Sequence, residues 1–167
     1  KARTRSADGT WSALTEMIYR IGTPASSSNL KITELHYHPS DPVTTAELAI
    51  STTDNDFEFL ELENVTGASI DLSLCRFSNG IEFDFPIGTS LPGGARVLLV
   101  SDLDAFRARY GSTIAPAILG EFGNDTHLSN KGEGLALLDA VGNFIFNFSF
   151  DDDPPWPTTP DGGGPSL

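Results

Sequence analysis

The stretch from Asp71 to Asp102, DLSLCRFSNGIEFDFPIGTSLPGGARVLLVSD, leaves few folds open to this chain. Within it Ile81, Phe83 and Phe85 alternate with Glu82 and Asp84, the period-two pattern of a strand with one buried face. Cys75 and Phe77 need the same face. A two-residue Asn79-Gly80 loop would pair Ser78 with Ile81 and send Phe77 to the wrong side, because a slip of one residue flips every side chain. The pattern therefore predicts a three-residue loop, Ser78 to Gly80, with Gly80 left-handed, Phe77 opposite Ile81 and Cys75 opposite Phe83. Phe83 and Phe85 are then both expected in the core. Pro86, Gly88 and the run Leu91-Pro92-Gly93-Gly94 turn the chain once more, into the nearly continuous apolar strand Arg96 to Val100.

The remaining segments extend this all-β reading. LKITELHYHPSDP is a strand from Leu30 stopped by Pro39 and Pro42, and Phe57 to Asn64 is a second, with Leu60 and Leu62 inward and Glu61 and Glu63 outward. Between them residues 40–56 read as a long exposed loop, with a helical turn over Ala46 to Ile50. Ser101 or Asp102 caps one short helix, Leu103 to Tyr110, which Gly111 stops and in which Phe106 and Tyr110 lie one turn apart. Ile118 to Phe122, Leu135 to Asp139 and Asn143 to Phe150 are further strands, the last presenting Phe144, Phe146, Phe148 and Phe150 on one face. The closing DDDPPWPTTPDGGGPSL leaves room for no more than a short final strand. Short strands at regular spacing with a single small helix argue for a β-sandwich.

Residues 1–21 stand apart. Lys1, Arg3, Arg5 and Arg20 outnumber Asp8 and Glu16 there, while the whole chain of 167 residues carries a net charge of −13. Asp8-Gly9 is a hairpin signal between Lys1–Ser6 and Trp11–Ile21, two strands with too few partners to bury Trp11, Leu14 and Tyr19. Gly22 to Asn29, with Pro24 and three serines in succession, reads as a linker, so the expected organisation is 1–21, linker 22–29 and main domain 30–167. The acidic balance argues against nucleic acid and anionic membranes as partners, and the apolar runs are too short for membrane insertion. No secretion signal is evident in the sequence. Cys75 is the only cysteine, which excludes a disulfide framework within the chain and, at an apolar strand position, reads as core.

From Leu30 to Leu167 the chain resembles the lamin-tail domain, an immunoglobulin-like β-sandwich of nuclear lamins and of many secreted bacterial multidomain proteins. ITELHYHP, FLELEN, DLSLCRFSNGIEFDFPIGTSLPGG, RVLLVSD, LSNKGEGLALLDAVGN and PPWP with DGGGPSL stand in the order expected of bacterial members. Two departures are Cys75, where such domains often have Trp, and Phe146, where a polar residue is common. At the other end, the run from Lys1 to Glu16 looks like the last strands of a fibronectin-type or chitobiase-C-terminal-like module. The resemblance implies a noncatalytic interaction or spacing module, extracellular or on the bacterial cell surface, with a protein or a cell-envelope polysaccharide as partner. The rival expectation is a calcium- or glycan-binding accessory domain of a secreted hydrolase.

Few residues invite chemistry. Asp151, Asp152 and Asp153, with Asp161 nearby, form a hard-oxygen set suited to calcium, although no EF-hand spacing is present and a solvated acidic loop is the preferred reading. No other cofactor is expected. Glu34, His36 and His38 alternate along one strand and could offer ligands to zinc, but Pro39 ends that strand at once and a polar strand face is the simpler reading. Trp156 between prolines is either an aromatic platform for sugar or peptide or, preferably, a plug under the sandwich. Gly132 and Gly134 in LSNKGEG suit a tight lead into a strand better than a recognition loop. No nucleophile elbow is present, and no catalytic residue is expected.

Overall fold

The computed structural model describes residues 1–15, 22–113 and 117–167. In chain order the elements are β1 (Thr23–Pro24), β2 (Leu30–His36), α1 (Thr45–Leu48), β3 (Phe59–Asn64), β4 (Ile70–Asp71), β5 (Arg76–Asn79), β6 (Ser90–Leu91), β7 (Arg96–Val100), α2 (Leu103–Tyr110), β8 (Ala117–Glu121), β9 (Glu133–Leu138) and β10 (Phe144–Phe150). Two sheets, ordered β2-β3-β7-β8 and β10-β9-β5, carry the sandwich, and the short strands β1-β4-β6 form a small third one. Alternation does the sorting: Leu60, Leu62 and Leu99 from the first sheet and Phe77, Leu135 and Leu137 from the second belong to one buried cluster. This is an all-β, immunoglobulin-like β-sandwich, with α2 as the one helix longer than a single turn among the described residues.

The helix sits where the apolar run of β7 requires it. β7 is apolar on both faces, and its outward Leu98 and Val100 join Phe59 and Phe106 in a second core under α2. Asp102 caps the helix by accepting from the Ala105 N–H at 2.7 Å, and the Phe106 and Tyr110 rings lie 4.7 Å apart. Crossing through α2 brings β8 back parallel to β7.

Residues 40–56 are more ordered than a long polar loop suggests. Thr44 and Glu47 close a capping box on α1, and the buried Glu47 carboxylate accepts from Arg109 Nε at 2.6 Å. The Arg109 guanidinium also lies 3.8 Å from the centre of the Phe57 ring. The Thr44 backbone N–H first, and Arg109 after it, hold the Glu47 carboxyl down to about 2. Because this lies below its usual value of 4.5, the stability it contributes is present above that pH and lost as pH falls toward 2. Replacing one partner strands the other in a nearly dry site, so Arg109→Met is expected to cost about 3 kcal/mol in urea denaturation. A loss within experimental error would mean that the pair is solvated.

Three sequence expectations need correction. First, the hairpin after β5 turns through five residues, 78–82: the Phe77 N–H donates to Phe83 and the Phe85 N–H to Cys75, both at 2.9 Å, with Arg76 opposite Asp84. Asn79 stays in β5, paired with Ala136 of β9, so the chain cannot turn as early as Ser78. The register therefore differs by two residues, which preserves the buried face. Gly80 is left-handed as expected, with φ +86, and a Cβ there would lie 2.6 Å from Leu135 Cδ1. Phe85 is buried at 1% exposure, whereas Phe83 is only half-buried.

Second, a bulge at Ile145 breaks the four-phenylalanine face of β10. Phe144 pairs with Leu138 and Phe146 with Leu137, which turns Ile145 into the core and leaves Phe144 60% exposed.

Third, the residues read as a linker are folded from Thr23 onward. Thr23 and Pro24 pair in parallel with Ile70 and Asp71, Ala25 is buried, and Asn29 folds the bend by accepting from Ser26 N and donating to the Pro24 carbonyl. A two-residue parallel strand carries too little pattern to be seen in sequence.

Ahead of these residues the Asp8-Gly9 hairpin forms, with Ala2 bridged to Thr15 and Arg5 to Trp11. Trp11 remains 49% exposed, its ring lying 4.3 Å from the Arg3 guanidinium and 5.5 Å from that of Arg5. The expected second strand runs on to Ile21, and its part over 16–21, Tyr19 included, lies outside the described residues.

Candidate functional site: the seam between two sheet edges

β2 ends one sheet and β10 ends the other, so among the described residues each has an outer edge without a neighbouring strand of its own sheet. Between them runs an open seam of about 380 Å³. Ile32 from β2 forms one wall, Phe146 and Phe148 from β10 the other, and Trp156 and Leu167 contribute from the closing segment. The β10 bulge shapes this wall: after Ile145 has turned inward, Phe146 and Phe148 stay half-buried at the rim of the core. Trp156 is also half-buried and packs against that core while lining the seam. The rim is polar. Lys31 Nζ donates to the Ser27 carbonyl and the Ser166 hydroxyl to Glu34 Oε1, each at 2.5 Å. At one end, Leu35 and Leu167 exchange backbone hydrogen bonds, at 3.1 Å from Leu35 N and 2.9 Å from Leu167 N.

The sequence-predicted ligand sets fare differently. Side-chain oxygens of Asp151, Asp152 and Asp153 come within 4.8 Å of one another, while Asp161 leaves the set to bind His38 Nδ1 at 2.6 Å. Lys131 lies 3.5 Å from Asp152 and competes for its carboxylate. Calcium takes six to eight oxygens, so three side chains from consecutive residues fit it poorly. Glu34, His36 and His38 do not converge: Glu34 meets Ser166, His36 is buried edge-on against Phe59, and His38 lies between Asp161 and Asp54. Among the described residues the three aspartates are the only group with metal-ligand geometry. In LSNKGEG the structural reading of the glycine holds, since a Cβ on Gly132 would stand 2.5 Å from the Phe150 carbonyl oxygen. Cys75 is buried.

One buried group escaped the sequence reading. Glu58 shares the inward parity of Leu60 and Leu62, but a carboxyl at the start of a strand has the letter of a solvent-facing residue. It is fully buried; Oε2 accepts from Leu128 N at 2.7 Å, and Oε1 has no hydrogen-bond partner among the described residues. Burial, reinforced by the negative charge of Asp54, Glu133 and Asp56, pushes its carboxyl up to about 9. Between its usual 4.5 and that value, the folded state keeps a proton that the unfolded chain releases, so stability falls as pH rises through this window. His36 has the opposite sign. Burial, and then Arg109, lower it from 6.5 to about 4, and stability is lost as pH falls across that interval. Glu58→Gln keeps the acceptor for Leu128 and removes the proton, so its melting temperature is expected to exceed the parent's at pH 8 and to converge on it near pH 5. Parallel curves across that range would show that Glu58 is ionised in the fold.

No curated protein matches the sequence. A family model does, the Lamin Tail Domain, over residues 23–151. That span begins at the first residue of β1 and ends just past β10, taking in the sheets that form the seam. The chain therefore belongs to the lamin tail domain family.

Proposed function

We propose that the domain is a noncatalytic interaction module of a secreted or surface-attached bacterial multidomain protein, and that it binds its partner, a protein or an envelope polysaccharide, through the seam between β2 and β10. The observation that carries this reading is the aromatic wall of Phe146, Phe148 and Trp156, left half-buried between two sheet edges while α2 covers the outward apolar face of β7. The role asks for no catalytic residue and no metal. In the parent protein, a photo-crosslinking benzoylphenylalanine at position 148 is expected to capture a partner, and the same group at the exposed position 141 is not. Equal capture at both positions, or none at 148, would remove the seam from consideration.

On this reading residues 1–21 are the end of a preceding β module, and the hairpin with its arginine-covered Trp11 suits that role. Deleting residues 1–21 is expected to leave a single cooperative urea transition with an unchanged midpoint. Loss of the transition would make those residues part of the domain. A cut after Ser27, within the stretch 22–29 that reads as a linker, would remove β1 and is expected to destabilise the fold.

Nucleic acid is not the partner. Arg96 pairs with Glu61 and Glu63, Arg107 with Asp104, Arg109 with Glu47 and Lys131 with Asp152, so these cations are already matched by carboxylates. Duplex affinity rests on neutralising phosphates, and a chain of net charge −13 opposes the approach. Fluorescence anisotropy with a random-sequence duplex at physiological salt is expected to show no binding. Micromolar binding that weakens steeply with salt would reveal a basic patch.

A further inference from the structure

We propose that His38 is a pH-controlled pin: as the imidazolium it ties the loop over residues 151–165 to the body of the sandwich, and on losing a proton it frees the middle of that loop. The proposal stands on the loop's own contacts and holds whatever the seam binds. The loop leaves β10 after Phe150, comes back beside β2 where the Ser166 hydroxyl meets Glu34, and carries Trp156 on the way. His38 meets it midway. Its Nδ1 lies 2.6 Å from Asp161 Oδ1, and its carbonyl accepts from the Gly162 N–H at 3.1 Å. A Cβ on Gly162 would stand 3.4 Å from His38 Cε1, so the loop backbone runs close against the ring. The other ring nitrogen, Nε2, lies 3.4 Å from Asp54 Oδ2 in the 3-10 turn Asp54–Phe57, and that oxygen also accepts from Asn130 Nδ2 at 3.1 Å. One imidazole thus joins three segments that are remote in sequence. Serving both carboxylates takes two N–H groups, which only the protonated ring has; the neutral ring turns a lone pair toward one of them. The other charged groups on this side are Asp151 and Asp152, which act with Asp161 on the neighbouring Tyr37, and His36, whose pKa burial lowers to about 4. Lys131 pairs with Asp152 and Arg109 with Glu47, which leaves His38 to answer Asp54 and Asp161.

In ¹⁵N-labelled protein the ring nitrogens of His38 report its protonation directly, and amide hydrogen exchange, corrected for the intrinsic rate at each pH, reports the loop. As pH rises through the loss of the His38 proton, corrected exchange at Gly162 is expected to increase about tenfold or more, with the same midpoint as the ring. In His38→Gln the rise at Gly162 disappears. Asp161→Asn is expected to give fast exchange at Gly162 with no pH dependence, while the His38 ring still titrates. Glu58 acts on the whole fold over part of the same range, so the amides of β3 are expected to respond to pH alike in the parent and both variants; this separates the loop from global opening. A rise at Gly162 that persists in His38→Gln, or that does not follow the ring, overturns the proposal. A ring that keeps both protons up to pH 8.5 also overturns it and leaves a fixed tie, and a ring that is neutral throughout, between two carboxylates, removes the charged pin altogether.

Discussion

Asn64→Leu is expected to cost the fold about 4 kcal/mol, because it removes at once five hydrogen bonds of a fully buried side chain that ties two loops together. Asn64 has no solvent exposure and stands at the end of β3, where two loops converge. Its amide nitrogen donates to the carbonyls of Ala68, Leu91 and Pro92 at 2.8, 2.9 and 3.0 Å. Its oxygen accepts from the Thr66 N–H and hydroxyl at 3.0 and 2.7 Å. Leucine fills a similar volume and satisfies none of these groups, so the loss reports hydrogen bonding and not a cavity. Asn64→Asp separates the two halves of the role. It keeps an acceptor for Thr66 but turns a carboxylate toward three carbonyl oxygens, and its cost should be larger at pH 7 than at pH 4. Urea midpoints at the two pH values check both statements; a loss below about 1 kcal/mol for Asn64→Leu would mean that the loops hold each other without this residue.

The second large effect distinguishes two neighbouring phenylalanines. Phe85→Ala is expected to cost about 4 kcal/mol, since its ring is buried against Phe77 at 6.4 Å and Phe83 at 4.9 Å between centroids. Phe83→Ala removes a half-buried ring at the margin of the same cluster and is expected to cost about half as much. Equal losses would restore the shorter loop that the sequence suggests, with both rings in the core.

The contrast marks how far sequence reading reaches here. Alternation in IEFDF identified the buried face of that hairpin correctly, because face depends only on parity, and parity survives a register shift of two residues. Loop length depended on a long-range fact, the pairing of Asn79 with Ala136 on β9, for which the local letters carry no signal. The bulge at Ile145 is similar: FIFNFSF has Phe at every second position, and although the apolar Ile145 breaks the polar set, only the ladder to β9 reveals that one residue is extra. Helix α2 was legible down to its cap because caps are local chemistry. Glu58 was legible in its face, which it shares with Leu60 and Leu62, but not in its burial, since a carboxyl near the end of a strand is as readily solvated there.

The seam falls in the same class as the loop length. Its walls come from the last strands of two different sheets and from Trp156 and Leu167, separated along the chain by more than a hundred residues from Ile32. Trp156 could be read in advance as a residue with one apolar face to place, but its position beside β2 is a consequence of topology. Leu167 had no signal beyond the room left for a short final strand, and the structure uses it as one paired residue on the outer edge of β2.

Whether the seam is open in solution is tested most directly by the fluorescence of Trp156. The chain has two tryptophans, and Trp11→Phe leaves Trp156 as the sole reporter. An open seam requires that acrylamide quench its emission in the folded protein, less than in the urea-unfolded chain, because one side of the ring lies against the core and the other lines the groove. Emission that acrylamide cannot reach until the protein unfolds would contradict the account, for it would make Trp156 a buried plug and the seam a closed part of the core.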